Sequence, residues 1–261
     1  MASASPEPTT AVAAVESPEF DHLLHCVPEV ESAVAAYASA GLPGHANPPY
    51  LGFRNGAWRL DVRYVEILTV VDRTEFARSP YGGAMAPLMP FVDELLTAGG
   101  GALNFAVHVT DVAATAERLR RDGHEVELLT FAREGSPVSF REAFLLDAPR
   151  WAPFFITYTP GRQVILDTYR GGGGNRGEHD LAGFVVETPD PAGAAAWLSR
   201  LTGVPAAPGE PGETVVPLPG GHVHFTSGPA DRITELLLTG GTPPTTVIRG
   251  LGMRPRRLTR R

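Results

Sequence analysis

Val27-Pro28-Glu29-Val30 opens a run that closes at Gly41, and Val109-Thr110-Asp111-Val112 opens another that closes at Gly123, with the same spacing from valine to glycine. A looser third copy begins at Pro189-Asp190-Pro191 and closes at Gly203. Val30, Val34 and Tyr37 recur at helical spacing, as do Val112, Ala116 and Leu119, and Ala194, Trp197, Leu198 and Leu201. Each run carries an acid near its start, where the helix dipole is positive, and a glycine where a helix ends. Strand-like stretches precede all three: residues 22–27, 103–109 and 181–187. Further strand candidates follow, at 50–54, 58–60 and 63–70 in the first unit. The second unit offers 125–129, 140–146, 154–158 and 163–169, and the third 214–218 and 222–226. The predicted class is α+β, built from repeated βαβββ modules, two of them paired and the third shorter. A single such unit buries one sheet face and one helix stripe poorly, and pairing two solves that.

The expected boundaries follow from composition. Residues 1–17, rich in Ala, Ser, Pro, Thr and Glu without periodicity, read as a disordered leader. Residues 18–170 form the main domain, with modules at 18–98 and 102–170. Residues 171–178 read as a Gly-rich linker, 179–240 as the truncated third module, and 241–261 as a basic tail. The spacing Gly172-x-Gly174-x-x-Gly177 matches a dinucleotide fingerprint by letters, but a strand rather than a helix should follow it, so the reading is a linker.

Composition excludes several chemistries. The net charge of −7 disfavours a nucleic-acid footprint or an anionic membrane surface. All 22 basic residues are arginine, which removes Schiff-base lysines and Walker-type phosphate loops. One cysteine, Cys26 in an apolar run, allows no intrachain disulfide and no thiolate cluster. The N-terminus lacks the features of a secretory signal and no apolar stretch is long enough to span a bilayer, so the expected location is cytoplasmic.

Chemistry concentrates on two strands of the first module. His22, Leu24 and Cys26 share one strand face, and Tyr64, Glu66 and Leu68 share another. A carboxylate in the setting Tyr64-Val65-Glu66-Ile67-Leu68 is costly unless it is paired, hydrogen-bonded or bound to a cation. An imidazole with a carboxylate suits Fe, Mn, Zn, Ni or Co.

Phe20-Asp21-His22, Gly52 with Asn55, Tyr64 to Leu68, Val109 to Val112, Arg133, and Pro153-Phe154-Phe155-Ile156 together resemble the glyoxalase-like domain family of the vicinal-oxygen-chelate superfamily. The resemblance covers roughly residues 20–169. It implies a cupped mixed sheet made by two modules around a divalent metal, with no organic cofactor and ligands from the first and last strands of each module. It makes His22 and Glu66 metal ligands, with His45 or His108 competing for a third place. Glu66 and His108 become the catalytic candidates, and Asn55, Arg133 and Asn104 the substrate-binding ones. The offset of 82 residues that carries 41 onto 123 places Asn104 opposite His22 and Ile156 or Thr157 near the match to Glu66, so the second module restores no strong ligand. The implied activity is that of a lyase, isomerase or dioxygenase acting on a small oxygen-rich substrate, and the alternative is a metal-free cup that sequesters a small molecule. The expected partner is that small molecule, with a homodimer allowed.

Other residues carry plainer readings. The alternative to a site role for Glu66 is an ion pair with an arginine such as Arg63 or Arg59, although Arg63 has opposite parity on the strand; His222 and His224 read as a solvated strand face, and Phe154 and Phe155 read as core.

Overall fold

The computed structural model describes residues 8–59, 61–132, 137–171 and 177–256. Among these described residues there are fifteen strands in two mixed sheets. In chain order the first half contains α1 (Pro8–Glu16), β1 (Glu19–Cys26), α2 (Val30–Ser39), β2 (Gly44–Ala46), β3 (Phe53–Arg59) and β4 (Tyr64–Val70). Three short helices follow, α3 (Arg73–Arg78), α4 (Tyr81–Met85) and α5 (Met89–Thr97). Next come β5 (Gly101–His108), α6 (Val112–Arg121), β6 (Val126–Ala132), β7 (Ser139–Leu145), β8 (Pro153–Thr159) and α7 (Arg162–Gly171). The second half comprises β9 (Asp180–Thr188), α8 (Pro191–Thr202), β10 (Ala207–Pro208), β11 (Glu213–Val216), β12 (His222–Ser227), β13 (Arg232–Thr239), β14 (Thr246–Ile248) and β15 (Leu251–Pro255).

The first sheet runs β2-β3-β4-β1-β5-β8-β7-β6, so the opening strands of the two modules lie antiparallel at its centre and each pairs in parallel with the last strand of its own module. The three repeated helices begin at acids that act as N-caps. Glu29, Asp111 and Asp190 each accept hydrogen bonds from backbone N–H groups of the first turn, which would otherwise lack partners. The glycines that close them, Gly41, Gly123 and Gly203, all have positive φ, which a side chain would resist.

The core lies on the convex side. Phe20, Leu23, Trp58 and Phe105 of the first sheet meet Phe184, Phe225 and Leu236 of the second, together with α2, α6 and α8. Strand β1 is buried on both faces except at its first residue, because the other face is covered by the insert between the modules. That insert was not foreseen: α3 to α5 lay Phe76, Met85, Phe91, Val92 and Leu95 over the concave face, against Leu24, Ala106, Phe144 and Phe154. The helices turn the cup into a covered chamber.

Four stretches differ from expectation. The presumed leader forms α1, whose terminal Glu16 is buried, takes a hydrogen bond from Thr115 at 2.9 Å and pairs with Arg118 at 2.6 Å. The Glu16 carbonyl also accepts from the Thr110 backbone N–H and hydroxyl, tying the helix end to the second module. Residues 163–169 are helical rather than extended, with Gln163 donating to Asp167 one turn on. The presumed tail supplies β14 and β15, and Ile248, Leu251 and Met253 enter the core. Strand β15 runs parallel to β13, a long-range pairing that a five-residue arginine- and proline-bearing segment does not announce. The second half is therefore a complete βαβββ unit followed by three more strands, giving a seven-stranded sheet ordered β10-β11-β12-β9-β13-β15-β14. Most of the Gly-rich linker lies outside the described residues. His224 is buried beside Glu213 at 3.0 Å rather than solvated.

Candidate active site

The register of the first sheet aligns the two modules residue by residue. His22 pairs with Tyr64 and Leu24 with Glu66, while Ala106 pairs with Phe154, which sets Asn104 in the place of His22 and Phe154 in the place of Glu66. The counterpart of Glu66 is thus Phe154, not Ile156 or Thr157. Asn55 pairs with Leu68 and Glu142 with Ile156, so Glu142 occupies the place of Asn55. The second module keeps one carboxylate but moves it one strand outward, from β8 to β7.

Four polar side chains meet at the floor of the cup. His22, only 2% exposed, lies between Tyr64, stacked at 4.4 Å, and the edge of Phe154. Its Nδ1 is 2.7 Å from Asp21 Oδ1. Adjacent strand residues ordinarily face opposite ways, but the β1–β5 register shifts between Phe20 and His22, and this bulge lets Asp21 and His22 meet. Asp21 is fully buried. Burial alone would raise its pKa, but the His22 hydrogen bond and charge, Arg162 and the Tyr158 hydroxyl more than offset it and hold the carboxyl below its ordinary value. An anionic Asp21 accepts a hydrogen bond from His22 Nδ1–H, so Nε2 is the ring nitrogen left toward the cavity.

Glu66 Oε2 stands 3.7 Å from His22 Nε2, and Oε1 accepts from Asn55 Nδ2 at 2.6 Å. Asn47 donates in turn to Asn55 Oδ1 at 3.0 Å, which fixes which end of the Asn55 amide meets Glu66. Arg63 pairs with Asp61 and Asp180 rather than with this carboxylate, and the Arg59 side chain is outside the described residues.

Glu142, 6% exposed, shares a hydrogen bond with Tyr81 while its Oε2 has no partner among the described residues. Burial first, and then the Glu66 charge, push its pKa up to about 8 despite the Tyr81 hydrogen bond. At neutral pH it is mainly a carboxylic acid.

Two chambers meet at His22, Phe53, Glu66, Tyr81 and Glu142. The inner one, about 80 Å³, lies under α3 to α5. The outer one, about 320 Å³, is bordered by Asn47, Tyr50, Asn55, Tyr64 and Tyr158. Phe154 lines the inner chamber as well as packing in the apolar layer.

The expected site residues separate into two groups. His22, Asn55 and Glu66 come together. His45 sits exposed on β2, two strands away from Glu66 through Ala57, roughly 10 Å, because β2 forms the sheet edge. His108 stacks against Tyr158 at 6.2 Å and borders neither chamber, being at the far end of β5. Asn104 lines a separate cavity with Phe91 and Arg150, and Phe144 and Phe154 border both that cavity and the inner chamber. Arg133 lies outside the described residues. Among the described residues no three His, Cys, Asp or Glu groups converge as a cation site, so the expected ligand set of His22, Glu66 and His45 is not assembled.

Sequence reasoning missed Asp21, Tyr81, Glu142 and Tyr158. The burial-cost argument applied to Glu66 holds equally for Glu142 in Phe140-Arg141-Glu142-Ala143-Phe144 and would have found it. Asp21 was hidden by the bulge, and Tyr81 by its place in an insert with no strand pattern.

A covered two-module cup with its polar groups on β1, β3, β4 and β7 defines the class. The chain belongs to the glyoxalase-like domain family, whose family model, described as a glyoxalase-like domain, matches residues 20–202. No protein of curated function matches the sequence. The fold is shared with a hypothetical protein from Staphylococcus aureus, at 15% identity and a TM-score of 0.74, over 92% of this chain and 100% of that one. Also similar are a methylmalonyl-CoA epimerase in complex with methylmalonyl-CoA and NH4+ (21% identity, TM-score 0.37, 53% of this chain and 93% of that one) and a mutant 4-hydroxymandelate synthase from Streptomyces coelicolor (10% identity, TM-score 0.49, 84% and 70%).

Proposed function

We propose that this protein is an enzyme that moves a proton on a small oxygenated substrate held where the two chambers meet. The observation that carries the reading is the unlike pair of carboxyl groups there. Glu142 is buried into its acid form, whereas Glu66 is oriented by Asn55 with Oε2 free to face the cavity. Glu66 takes a proton from carbon beside a carbonyl, and Glu142 gives its own proton to the carbonyl oxygen. Return of the Glu66 proton to the former carbonyl carbon, with the neighbouring hydroxyl giving its proton to Glu142, moves the carbonyl by one carbon, isomerises the substrate and restores both carboxyl groups. His22, held by Asp21, accepts a hydrogen bond from an adjacent substrate hydroxyl through Nε2, and Tyr81 positions Glu142.

The resemblance also implies a divalent metal. His22 Nε2 and Glu66 Oε2 would be its donors, and Asp21 is the kind of carboxylate that steadies a metal-bound imidazole. Among the described residues no third protein donor converges with them, so this donor set does not fit a catalytic metal.

The test is hydrogen exchange in D2O, followed by NMR, on a panel of small α-hydroxy ketones. Wild-type protein should exchange the carbon-bound proton, Glu66→Gln should abolish exchange, and Glu142→Gln should slow it by about 10²-fold or more. Exchange that survives Glu66→Gln overturns the reading. Binding of these ketones without any exchange overturns it in favour of a cup that only sequesters its ligand.

A further inference from the structure

We infer that the substrate is electrically neutral and carries a short alkyl end, no bulkier than about four carbons, which occupies the inner chamber. This rests on the site assignment above and adds the substrate class to it.

The two chambers share their polar junction but differ beyond it. Past Glu66 and Glu142 the inner chamber is walled by Leu24, Leu68, Val70, Met89, Val92 and Phe144, among other apolar groups. A substrate whose oxygens sit at His22, Glu66 and Glu142 must therefore put an apolar group inward, because a polar one would lose its water with nothing to replace it. Size sets the limit. A cavity of about 150 Å³ accommodates benzene, and the inner chamber has about half that volume. A propyl or isobutyl group fits; a phenyl ring is too large unless Met85 and Met89 swing aside.

Charge sets the second limit. No arginine among the described residues borders either chamber, and the chain has no lysine. Of the groups that do border them, the Glu66 carboxylate repels an anion, and Asp21 lies directly behind His22. A carboxylate, phosphate or phosphoanhydride brought to the junction would be desolvated beside the Glu66 carboxylate with no guanidinium among the described residues to pair with. The outer chamber is bordered instead by neutral donors and acceptors, including Asn47, Asn55, Tyr64 and Tyr158, which suit hydroxyl and carbonyl groups.

The experiment is calorimetric titration of the full chain with 1-hydroxy-2-alkanones of increasing alkyl length, and with 2-oxoalkanoate anions of matching length. Affinity should rise about fourfold per added methylene up to about four carbons, then level or fall. The anions should bind at least tenfold more weakly than their neutral counterparts. Met89→Ala should move the optimum to longer chains, while Val92→Phe should erase the dependence on length. Because Val92→Phe crowds a packed layer, its circular dichroism and melting curve are compared with wild type, and Met89→Ala tests the same wall by enlargement. Tighter binding of the anions, or affinity independent of chain length, overturns the inference. The D2O assay run in parallel separates the two conclusions. Exchange on an anionic ketone would overturn the substrate class and leave proton transfer by Glu66 standing. Length-dependent binding of neutral ketones with no exchange would do the reverse.

Discussion

Replacing Glu142 by glutamine should stabilise the protein, and increasingly so as pH rises. The buried carboxyl has its pKa raised from 4.5 to about 8, first by loss of hydration and then by the Glu66 charge. The folded state therefore binds this proton more tightly than the unfolded chain does, so stability from the acid form is fully present below about 4.5 and is lost as pH climbs through about 8. Each pH unit inside that window costs about 1.4 kcal/mol, so the wild-type penalty approaches roughly 4 kcal/mol by about pH 9. Relaxation and water entry would reduce this figure. Glutamine keeps the shape and the neutral charge and pays none of it. His25 has the opposite slope over part of the same range, so the wild-type curve alone is uninformative. The quantity to measure is the difference between Glu142→Gln and wild type, from urea unfolding between pH 5 and 9. That difference should be near zero, or slightly unfavourable to the variant, at pH 5 and should favour the variant by 2 kcal/mol or more at pH 9. Parallel stability curves would refute the claim that Glu142 is buried as an acid, and with it the acid assigned to the proposed reaction.

Three further outcomes are expected. His25 hydrogen-bonds Tyr37 and the Arg249 carbonyl, and burial lowers its pKa to about 4, so its contribution is present above about pH 6.5 and lost as pH falls toward 4; His25→Gln should flatten the variant's stability curve over that interval by about 1.4 kcal/mol per pH unit. Gly52→Ala should destabilise by about 2 kcal/mol or more in thermal melts, because φ is +77° and a Cβ there would lie 2.3 Å from Phe76 N and 2.4 Å from Asp72 O, at the start of the helical cover. Arg118→Ala should release α1, since it leaves the buried Glu16 carboxylate without its cation; amide exchange over 12–18 should accelerate at least tenfold while β1 and β5 stay protected.

The repeat was legible because its signals are local. An N-capping acid, an apolar stripe and a positive-φ glycine lie within one helix length, so Val27 to Gly41 and Val109 to Gly123 each announce their helix without reference to the rest of the chain. The nearness of His22 and Glu66 was legible for a related reason: strand alternation and one parallel pairing carry a short distance faithfully. Asn55 joined them by the same pairing of neighbouring strands.

Beyond those local rules the tertiary structure decided. A single bulge turned Asp21 toward His22 against the alternation of its own strand. Glu142 belongs to the site because two sheet halves related by approximate symmetry bring β7 around to face β4, a relation between residues 76 positions apart that no local pattern encodes. The cover formed by α3 to α5, the last two strands of the second sheet and the exclusion of His45 and His108 all depend on which surfaces pack against which. Composition and spacing determined what each segment could become. Burial and long-range pairing determined which of its charged groups would share one cavity.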